Sequence, residues 1–265
     1  MKRIVRSRAI RGIDDDLPDR PSACGDPLRE STMRIDTLNG LLRKLTGFAQ
    51  IIVPACALLC AIPEISQAQT KLIIARHGTA AYNPAAPEQD RNPPDPPLAP
   101  QGRSEALRLA ALAKAEGIDL IVHSSLLRAS ETARIVGNEL KLTPVVVPDL
   151  AELNLGDLLG KDWSKSPYRE QLAEVLGDPD RKRPGGESFN QLSDRVIKAL
   201  DRLLAQHKNR KILLIAHGIT NRALLGNLRG QSTAEAFAQP SQANNEAYVV
   251  NFSGNGKPGI VLERY

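Results

Sequence analysis

The sequence predicts an α/β fold, a three-layer α/β/α sandwich whose mostly parallel central sheet carries helices on both faces. Short apolar runs alternate with longer stretches of helical spacing along residues 71–265, a pattern typical of parallel sheets covered on both sides. Aromatic residues make up only 3% of the chain and hydrophobic residues 42%, so the core has to be aliphatic. A small helical cap near residues 160–185 is expected to cover the functional site.

The predicted elements follow one another in a regular order. Strands are predicted where apolar or β-branched residues run together, at 71–75, 119–123, 144–147, 212–216, 247–252 and 259–264. Helices are predicted at 100–116, 126–140, 166–176 and 188–207, and after Ala216 to about Leu228. Segment 69–265 is long enough for one buried core without disulfides. We therefore predict one domain there.

Composition and charge exclude several classes of protein. Charged residues make up 25% of the 265 residues, and the formal net charge is +5, which is ordinary for a globular domain and excludes a disordered chain, a collagen and a polytopic membrane protein. The positive excess is small and scattered, and aromatic residues are scarce, so no nucleic-acid partner is expected. The excess does suit an anionic substrate. The sequence does not indicate an oligomeric state.

Residues 33–68 have the layout of a secretory signal peptide. Three basic residues between positions 34 and 44 precede a mostly apolar stretch at 45–62. Ser66 and Ala68 then supply the small side chains that a signal peptidase accepts, so cleavage is expected after Ala68. This predicts a periplasmic or secreted protein that keeps no stable membrane association after cleavage.

Other interpretations of the amino-terminal region rank lower. A retained membrane anchor ranks second, because the apolar stretch is interrupted and short for a span. A lipid anchor at Cys60 ranks third, because bulky Leu59 precedes it where a small residue is expected. Residues 1–32 are either a disordered extension or a mis-assigned start. Met33 is the favoured start, since the basic end of a signal belongs near the amino terminus.

Two predicted strands end in a histidine followed by a glycine. The segments KLIIARHG at 71–78 and KILLIAHG at 211–218 end at His77 and His217. Ligands of open α/β sheets bind at the carboxyl ends of strands, so we expect both histidines to face one pocket. Arg76 beside His77 favours an anion there. A neutral imidazole can attack phosphorus and hold the phosphoryl group covalently.

Six segments carry further motifs in a fixed order. They are RHGTAAYN at 76–83, DPPLAPQGRSEA at 95–106, HSSLLRASETA at 123–133, LAELNLGDLLG at 150–160, PGGESFNQLSDRV at 184–196 and LLIAHGITNRALL at 213–225. Together they resemble the histidine phosphatase superfamily, in its phosphoglycerate-mutase-like branch. Arg-His-Gly alone is a weak signal, whereas six ordered motifs are a specific one. Glu105 stands where the family often has Gln, a departure that we expect to be harmless.

The resemblance implies a role for each matching residue. His77 would be the nucleophile that becomes phosphohistidine, and His217 would stabilise the transferring group. Glu152 would protonate the leaving oxygen and then take a proton from water. Asp157 and Glu187 are the next carboxyls to consider for that task. The implied substrate contacts are Arg76, Arg128, Thr79, Asn83 and the backbone amide of Gly218.

Some of these positions also have a purely structural interpretation. Without the resemblance, Arg128 would be read as a solvated helix charge. Ser188 is interpreted as a helix cap and His123 as a structural residue. Trp163 and Tyr168 either line the mouth of the pocket or pack within the cap.

The sequence as a whole favours an exported phosphomonoesterase that acts on a small-molecule phosphate ester through phosphohistidine. A phosphoglycerate mutase uses the same residues, but glycolytic substrates are cytosolic and export argues against it. A catalytically silent anion-binding protein is a third interpretation, disfavoured by the intact set of site residues. No cofactor and no metal are expected, because the four histidines show no metal-binding spacing and no Walker loop is present.

Overall fold

The structure is a computed structural model, and it describes residues 69–82, 94–252 and 258–265. All described elements belong to the compact unit Ser66–Tyr265. The predicted signal peptide at 33–68, the segment 1–32 and the predicted substrate contact Asn83 lie outside the described residues. In the part that is described, no helix has the length and apolar character needed to span a membrane.

One mixed sheet organises the described residues. Its strands are β1 (Lys71–Arg76), β2 (Leu120–His123), β3 (Val145–Val146), β4 (Lys211–Ala216), β5 (Glu246–Asn251) and β6 (Gly259–Arg264). They lie in the spatial order β3-β2-β4-β1-β5-β6. The strands β1 to β4 pair in parallel, while β5 and β6 join one edge antiparallel. The prediction of a mostly parallel sheet is confirmed.

Helices follow most of the strands. They are α1 (Pro100–Ala115), α2 (Leu127–Leu140), α3 (Tyr168–Gly177), α4 (Phe189–Gln206), α5 (Gly218–Leu228) and α6 (Thr233–Phe237). Two 3₁₀ turns, Pro148–Leu150 and Gly156–Leu158, lie between β3 and α3. The sequence analysis found the five longer helices but neither α6 nor the turns.

Both faces of the sheet are buried, which confirms the three-layer arrangement. Successive strand residues point to opposite faces, and the residues of β1 and β4 divide accordingly. One set packs in the same cluster as residues of α4 and α5; it comprises Leu72, Ile74, Ile212 and Leu214. The other set packs with α1 and α2; it comprises Ile73, Ala75, Leu213 and Ile215. Burying one large aliphatic side chain stabilises the fold by roughly 1.5–3 kcal/mol. This packing therefore holds the ends of β1 and β4 in place.

The expected helical cap corresponds to α3 and the segment before it. Val175 of α3 is buried, and Trp163, Tyr168 and Leu172 pack against the cluster on the α4 and α5 face of the sheet. The indole Nε1 of Trp163 donates to the carbonyl of Leu158 at 2.8 Å. These contacts attach α3 to the sandwich.

Candidate active site

The two histidines of the repeated strand pattern stand side by side. Arg76 and Ala216 are register partners at the ends of the parallel strands β1 and β4. The amide of His77 donates to the carbonyl of Ala216 at 3.0 Å. The rings of His77 and His217 have centroids 5.0 Å apart, and the two residues are 5% and 0% exposed. The structure thus brings together the residues that the strand pattern singled out.

Two contacts define which nitrogen of His77 carries its proton. Nδ1 lies 2.7 Å from the carbonyl oxygen of Gly78, and because a carbonyl only accepts, Nδ1 carries the hydrogen and donates. Nε2 therefore keeps a lone pair, and Nε of Arg128 donates to it at 3.1 Å. Burial, and next the charge of Arg128, lowers the pKa of His77 from 6.5 to about 3. The imidazole is neutral near pH 7, and its Nε2 is available as a nucleophile.

Acid should weaken the fold through His77. The unfolded chain has an ordinary histidine pKa of 6.5, whereas the folded value is about 3. Between these values the unfolded state binds more protons, so the free energy of unfolding falls as the pH falls from 6.5 towards 3. Urea unfolding across this range should show a shallower loss in His77→Gln than in the wild type. Equal slopes in the wild type and in His77→Gln would contradict the assignment.

Arg128 is fixed by the start of its own helix. Its side chain is 12% exposed, and its Nη1 lies 3.5 Å from Oδ1 of Asp95. The Asp95 carboxylate also accepts from the amide of Leu127, with its two oxygens at 2.8 and 3.0 Å. Arg128 is therefore not a solvated helix charge. Asp95, which sequence reasoning did not single out, joins the start of α2 to the guanidinium.

A buried pair of amide side chains supports Arg76. Nη1 of Arg76 donates to the carbonyl of Gln242 at 2.9 Å. The Gln242 side chain donates to the carbonyl of Ile74 at 3.0 Å and accepts from Nδ2 of Asn221 at 2.6 Å. Nε of Arg76 is buried and has no hydrogen-bond partner among the described residues. This leaves a charged donor for an anionic ligand.

Glu152 lies against the first turn of α5. Oε2 accepts from the amide of Ile219 at 3.1 Å, and Oε1 accepts from the amide of Thr220 at 3.0 Å. The Glu152 carboxylate also accepts from the amide of Leu153 at 3.0 Å. The positive end of the α5 dipole favours a carboxylate at this place. Glu152 is thus held next to the residues that directly follow His217.

Three arginines lie near Glu152. Burial lowers the pKa of Arg76, Arg128 and Arg222, and attraction to Glu152 opposes that shift in all three guanidinium groups. Glu105 also attracts Arg76, and Asp95 also attracts Arg128. The charges of the described residues that act on the buried His217 ring, by contrast, include Arg76, Arg128 and Arg195 and no carboxylate. Such a cluster favours a ligand of negative charge, and guanidinium groups suit the oxygens of a phosphoryl group.

Arg195 of α4 holds the loop that carries Glu152. It forms a two-point ion pair with Glu187, with Nε to Oε2 at 2.9 Å and Nη2 to Oε1 at 2.6 Å. It also donates to the carbonyls of Asp149 at 2.7 Å and Ala151 at 2.9 Å. The Glu187 carboxylate is therefore occupied in positioning this loop, and its oxygens point to Arg195.

The remaining polar residues of the motifs have structural contacts. Asp157 forms a two-point pair with Arg183, at 2.9 Å for both bonds, and this pair lowers the pKa of Asp157. Ser188 is the cap of α4 and forms a capping box with Gln191, as predicted. Nδ1 of His123 lies 2.7 Å from the carbonyl of Ser124.

Within the described ranges, no three His, Cys, Asp or Glu side chains are grouped so as to hold a metal ion.

Thr79 and Gly218 each lie near a charged residue of the site, Glu105 for Thr79 and Arg76 for Gly218. The amide and hydroxyl of Thr79 both donate to the buried Glu105, at 2.6 and 3.0 Å. Thr79 thus fixes the loop after β1, and its contact with a substrate stays a prediction. Gly218 begins α5, and a Cβ atom there would lie 3.5 Å from Cζ of Arg76. The start of α5 therefore faces the Arg76 guanidinium.

A cavity lies between the loop after His77 and the cap segment. It has a volume of about 240 Å³, and its lining includes Tyr82, Asp162, Trp163 and Ser164. Of the two cap aromatics, Trp163 thus lines a cavity, whereas the ring of Tyr168 lies 5.6 Å from Nζ of Lys161.

Comparison with models of known protein families assigns the chain to one of them. Residues 72–262 match a model of the histidine phosphatase superfamily (branch 1). The chain belongs to the histidine phosphatase superfamily. The resemblance drawn from the six motifs is confirmed. The histidine phosphatase match also includes β5 and most of β6, beyond the stretch that the motifs cover.

The relatives of this histidine phosphatase chain include phosphatases and a mutase-like protein. A metal-independent phosphoserine phosphatase of Arabidopsis thaliana is 30% identical over 177 residues, which cover 64% of this chain and 74% of that protein. The Yersinia pestis protein named "Probable phosphoglycerate mutase GpmB" is 34% identical over 163 residues, 60% of this chain and 75% of that one. A mycobacterial glucosyl-3-phosphoglycerate phosphatase, solved with VO3, has a TM-score of 0.61 and 25% identity and covers 74% of this chain and 98% of its own.

Proposed function

We propose that the protein is an exported, metal-independent phosphomonoesterase that hydrolyses small phosphate esters through a phosphohistidine intermediate. The geometry of His77 is the observation that supports the phosphatase activity in this proposal. Its Nε2 accepts from Nε of Arg128, and Arg76 and Arg128 are the cations that act on its ring. That arrangement combines a neutral nucleophile with donors for phosphoryl oxygens. The phosphatases among the relatives agree with it.

In the first step a substrate phosphoryl group replaces Nε2 as the acceptor of the Arg128 donor. Arg76 supplies its unpartnered Nε to another phosphoryl oxygen, and His217 provides a further donor. Nε2 of His77 then forms a bond to phosphorus while the bond from phosphorus to the ester oxygen breaks. A substrate that binds as the phosphate monoanion brings one proton, which Glu152 takes and passes to the leaving oxygen, so the alcohol departs and Glu152 is again a carboxylate.

In the second step water attacks the phosphohistidine. Glu152, now a carboxylate, takes a proton from the water as its oxygen bonds to phosphorus. The bond between phosphorus and Nε2 breaks, and inorganic phosphate leaves. The arginines supply the positive charge that a magnesium ion provides in other phosphoryl-transfer sites. The departing phosphate takes the proton from Glu152, which returns to the carboxylate that the α5 amides hold.

A phosphoglycerate mutase activity is the second candidate, favoured by the 34% identity to the mutase-like relative. The purified protein should release inorganic phosphate from para-nitrophenyl phosphate and from members of a panel that includes phosphoserine and 3-phosphoglycerate. A mutase would instead interconvert 3- and 2-phosphoglycerate with little phosphate release. A silent anion-binding protein would bind phosphate and turn over none of these compounds.

We further propose that the chain is exported, on the basis of the signal-like segment at 33–68. The full-length chain with a carboxyl-terminal tag, expressed in a Gram-negative host, should appear outside the cytoplasm with Gln69 as its new amino terminus. Uncleaved protein in the cytosol would overturn this part of the proposal. It would also strengthen the mutase candidate, because compartment is a main argument against it.

A further inference from the structure

Ser124 makes a buried contact with the second histidine. Ser124 follows β2 directly, is 0% exposed, and its amide donates to the carbonyl of Ile215 in β4 at 3.1 Å. This bond places Oγ of Ser124 2.5 Å from Nε2 of His217. The strands β2, β4 and β1 are successive neighbours. Ser124 therefore approaches His217 from the β2 side, whereas His77 lies on the β1 side.

The hydrogen atoms around Ser124 can be assigned. A serine hydroxyl has one hydrogen to donate and two lone pairs. The amide of Leu126 donates to Oγ at 3.3 Å, which uses one lone pair. Among the described residues, Nε2 of His217 is the one acceptor within hydrogen-bond distance of this hydroxyl. The Ser124 hydroxyl therefore donates to Nε2, which must carry a lone pair.

The proton of His217 then lies on its other nitrogen. Burial, with the positive charges nearby, lowers the pKa of His217 well below 6.5, so the ring is neutral and has one N–H. With Nε2 as an acceptor, that hydrogen is on Nδ1. Nδ1 is itself buried and has no hydrogen-bond partner among the described residues. A buried donor left unpaired beside a nucleophile indicates a ligand that accepts from it.

We propose that Ser124 is a positioning residue that fixes His217 as the Nδ1–H tautomer, so that this hydrogen reaches an oxygen of the substrate phosphoryl group. The inference rests on the proposed phosphoryl transfer for the identity of that acceptor. Without the Ser124 hydroxyl the hydrogen can move to Nε2. The lone pair then exposed on Nδ1 repels phosphoryl oxygens, so the same ring changes from a stabilising group to an opposing one.

The tautomer is measurable in the wild-type protein. Nitrogen-15 NMR of histidine-labelled protein should show protonated Nδ1 and unprotonated Nε2 for His217, and Ser124→Ala should reduce the Nδ1–H population. A wild-type His217 that carries its hydrogen on Nε2 overturns the proposal, even where a variant fails to fold. The measurement needs no substrate, so its failure is distinguishable from a failure of the phosphatase proposal, which phosphate release tests separately.

Amide replacements provide a second, kinetic test. His217→Asn places an NH₂ group near the position of Nδ1, whereas His217→Gln places one near Nε2. The Asn variant should keep more turnover of para-nitrophenyl phosphate than the Gln variant, which loses the full effect of one transition-state donor, about 10²–10³-fold. A more active Gln variant would contradict the assigned tautomer.

Ser124→Ala should lower kcat by about 10–100-fold, as is typical when the partner that orients an imidazole is removed. Ser124→Cys, which keeps a weak donor, should restore part of this rate. In the His217→Asn background the same Ser124→Ala change should cost much less, because an Asn amide has no tautomer to fix. An undiminished loss in that background would show that Ser124 acts only through packing and would overturn the proposal.

Discussion

His77→Ala should abolish both phosphatase turnover and the acid-labile phosphorylation of the protein. Nε2 of His77 holds the lone pair that faces the Arg128 guanidinium, and the neighbouring His217 ring is held through Nε2 by Ser124. No second nucleophile is therefore presented to the same phosphorus. Removal of a catalytic nucleophile can cost about 10⁶-fold in kcat. Rapid-quench labelling with a ³²P-labelled ester, followed by acid and alkali treatment, measures the intermediate directly.

Two variants make this result specific to the nucleophile. His217→Ala should slow turnover but still give labelled protein, because His217 stabilises the transferring group without bonding to phosphorus. His207→Gln, at the end of α4, should behave like the wild type in both measurements. Equal labelling of the wild type and the His77 variant would remove His77 from its assigned role.

The central strands β1, β2 and β4 were predictable from the sequence because they are buried on both faces. A strand such as β1 or β4 then appears as a continuous apolar run, and the helices between such runs keep their own spacing. The ends of the predicted elements lie within about two residues of the observed ones. The five-residue helix α6 is too short for a periodic signal. Its sequence signature is the capping box of Ser232 and Glu235, a pattern that reads as a helix start only once the flanking elements are known.

The sequence analysis found the charged centre of the site but not the residues that position it. His77, Arg128 and Glu152 stand in motifs, and the structure brings them together with Arg76 and His217 into one cluster. The roles assigned to these residues stay predictions until the variants are measured. The strand order explains the convergence, since β1 and β4 are adjacent and end at the same edge.

The supporting residues depend on contacts between distant segments. Gln242 holds Arg76 through its backbone carbonyl across 166 positions of sequence, and Ser124 meets His217 across 93. A glutamine in a loop or a serine after a strand has no pattern of its own that predicts such a pairing. Burial makes these contacts strong, because an unpaired polar group costs more there than in water. Only the packed structure identifies them.

Glu152→Gln should slow alkyl phosphates far more than para-nitrophenyl phosphate. An alkoxide is a poor leaving group and needs a proton from the acid, whereas para-nitrophenolate leaves without one. A positioned general acid contributes about 10²–10⁴-fold, so the alkyl substrate should lose roughly that factor in the phosphorylation step. Pre-steady-state burst kinetics measure this step separately from hydrolysis of the phosphoenzyme. With para-nitrophenyl phosphate the phosphoenzyme of the Gln variant should also accumulate, because the base that activates water is absent while the phosphorylation step stays fast.

Glu152→Gln also disturbs the backbone contacts of this side chain, which lowers the rate in its own right. Comparison of the two substrates separates this effect from the loss of the acid. Both carboxylate oxygens accept from backbone amides, of Ile219 on one side and of Thr220 and Leu153 on the other. A Gln side chain turns its NH₂ group towards one of these sides, so at least one amide loses its acceptor. Such a displacement slows every substrate by the same factor, whereas loss of the acid depends on the leaving group. Glu187→Gln, which weakens the Arg195 pair that holds the loop, should therefore slow both esters equally and serves as the control. If Glu152→Gln also slowed both equally in the burst phase, Glu152 would position α5 and the proton would have to come from another group.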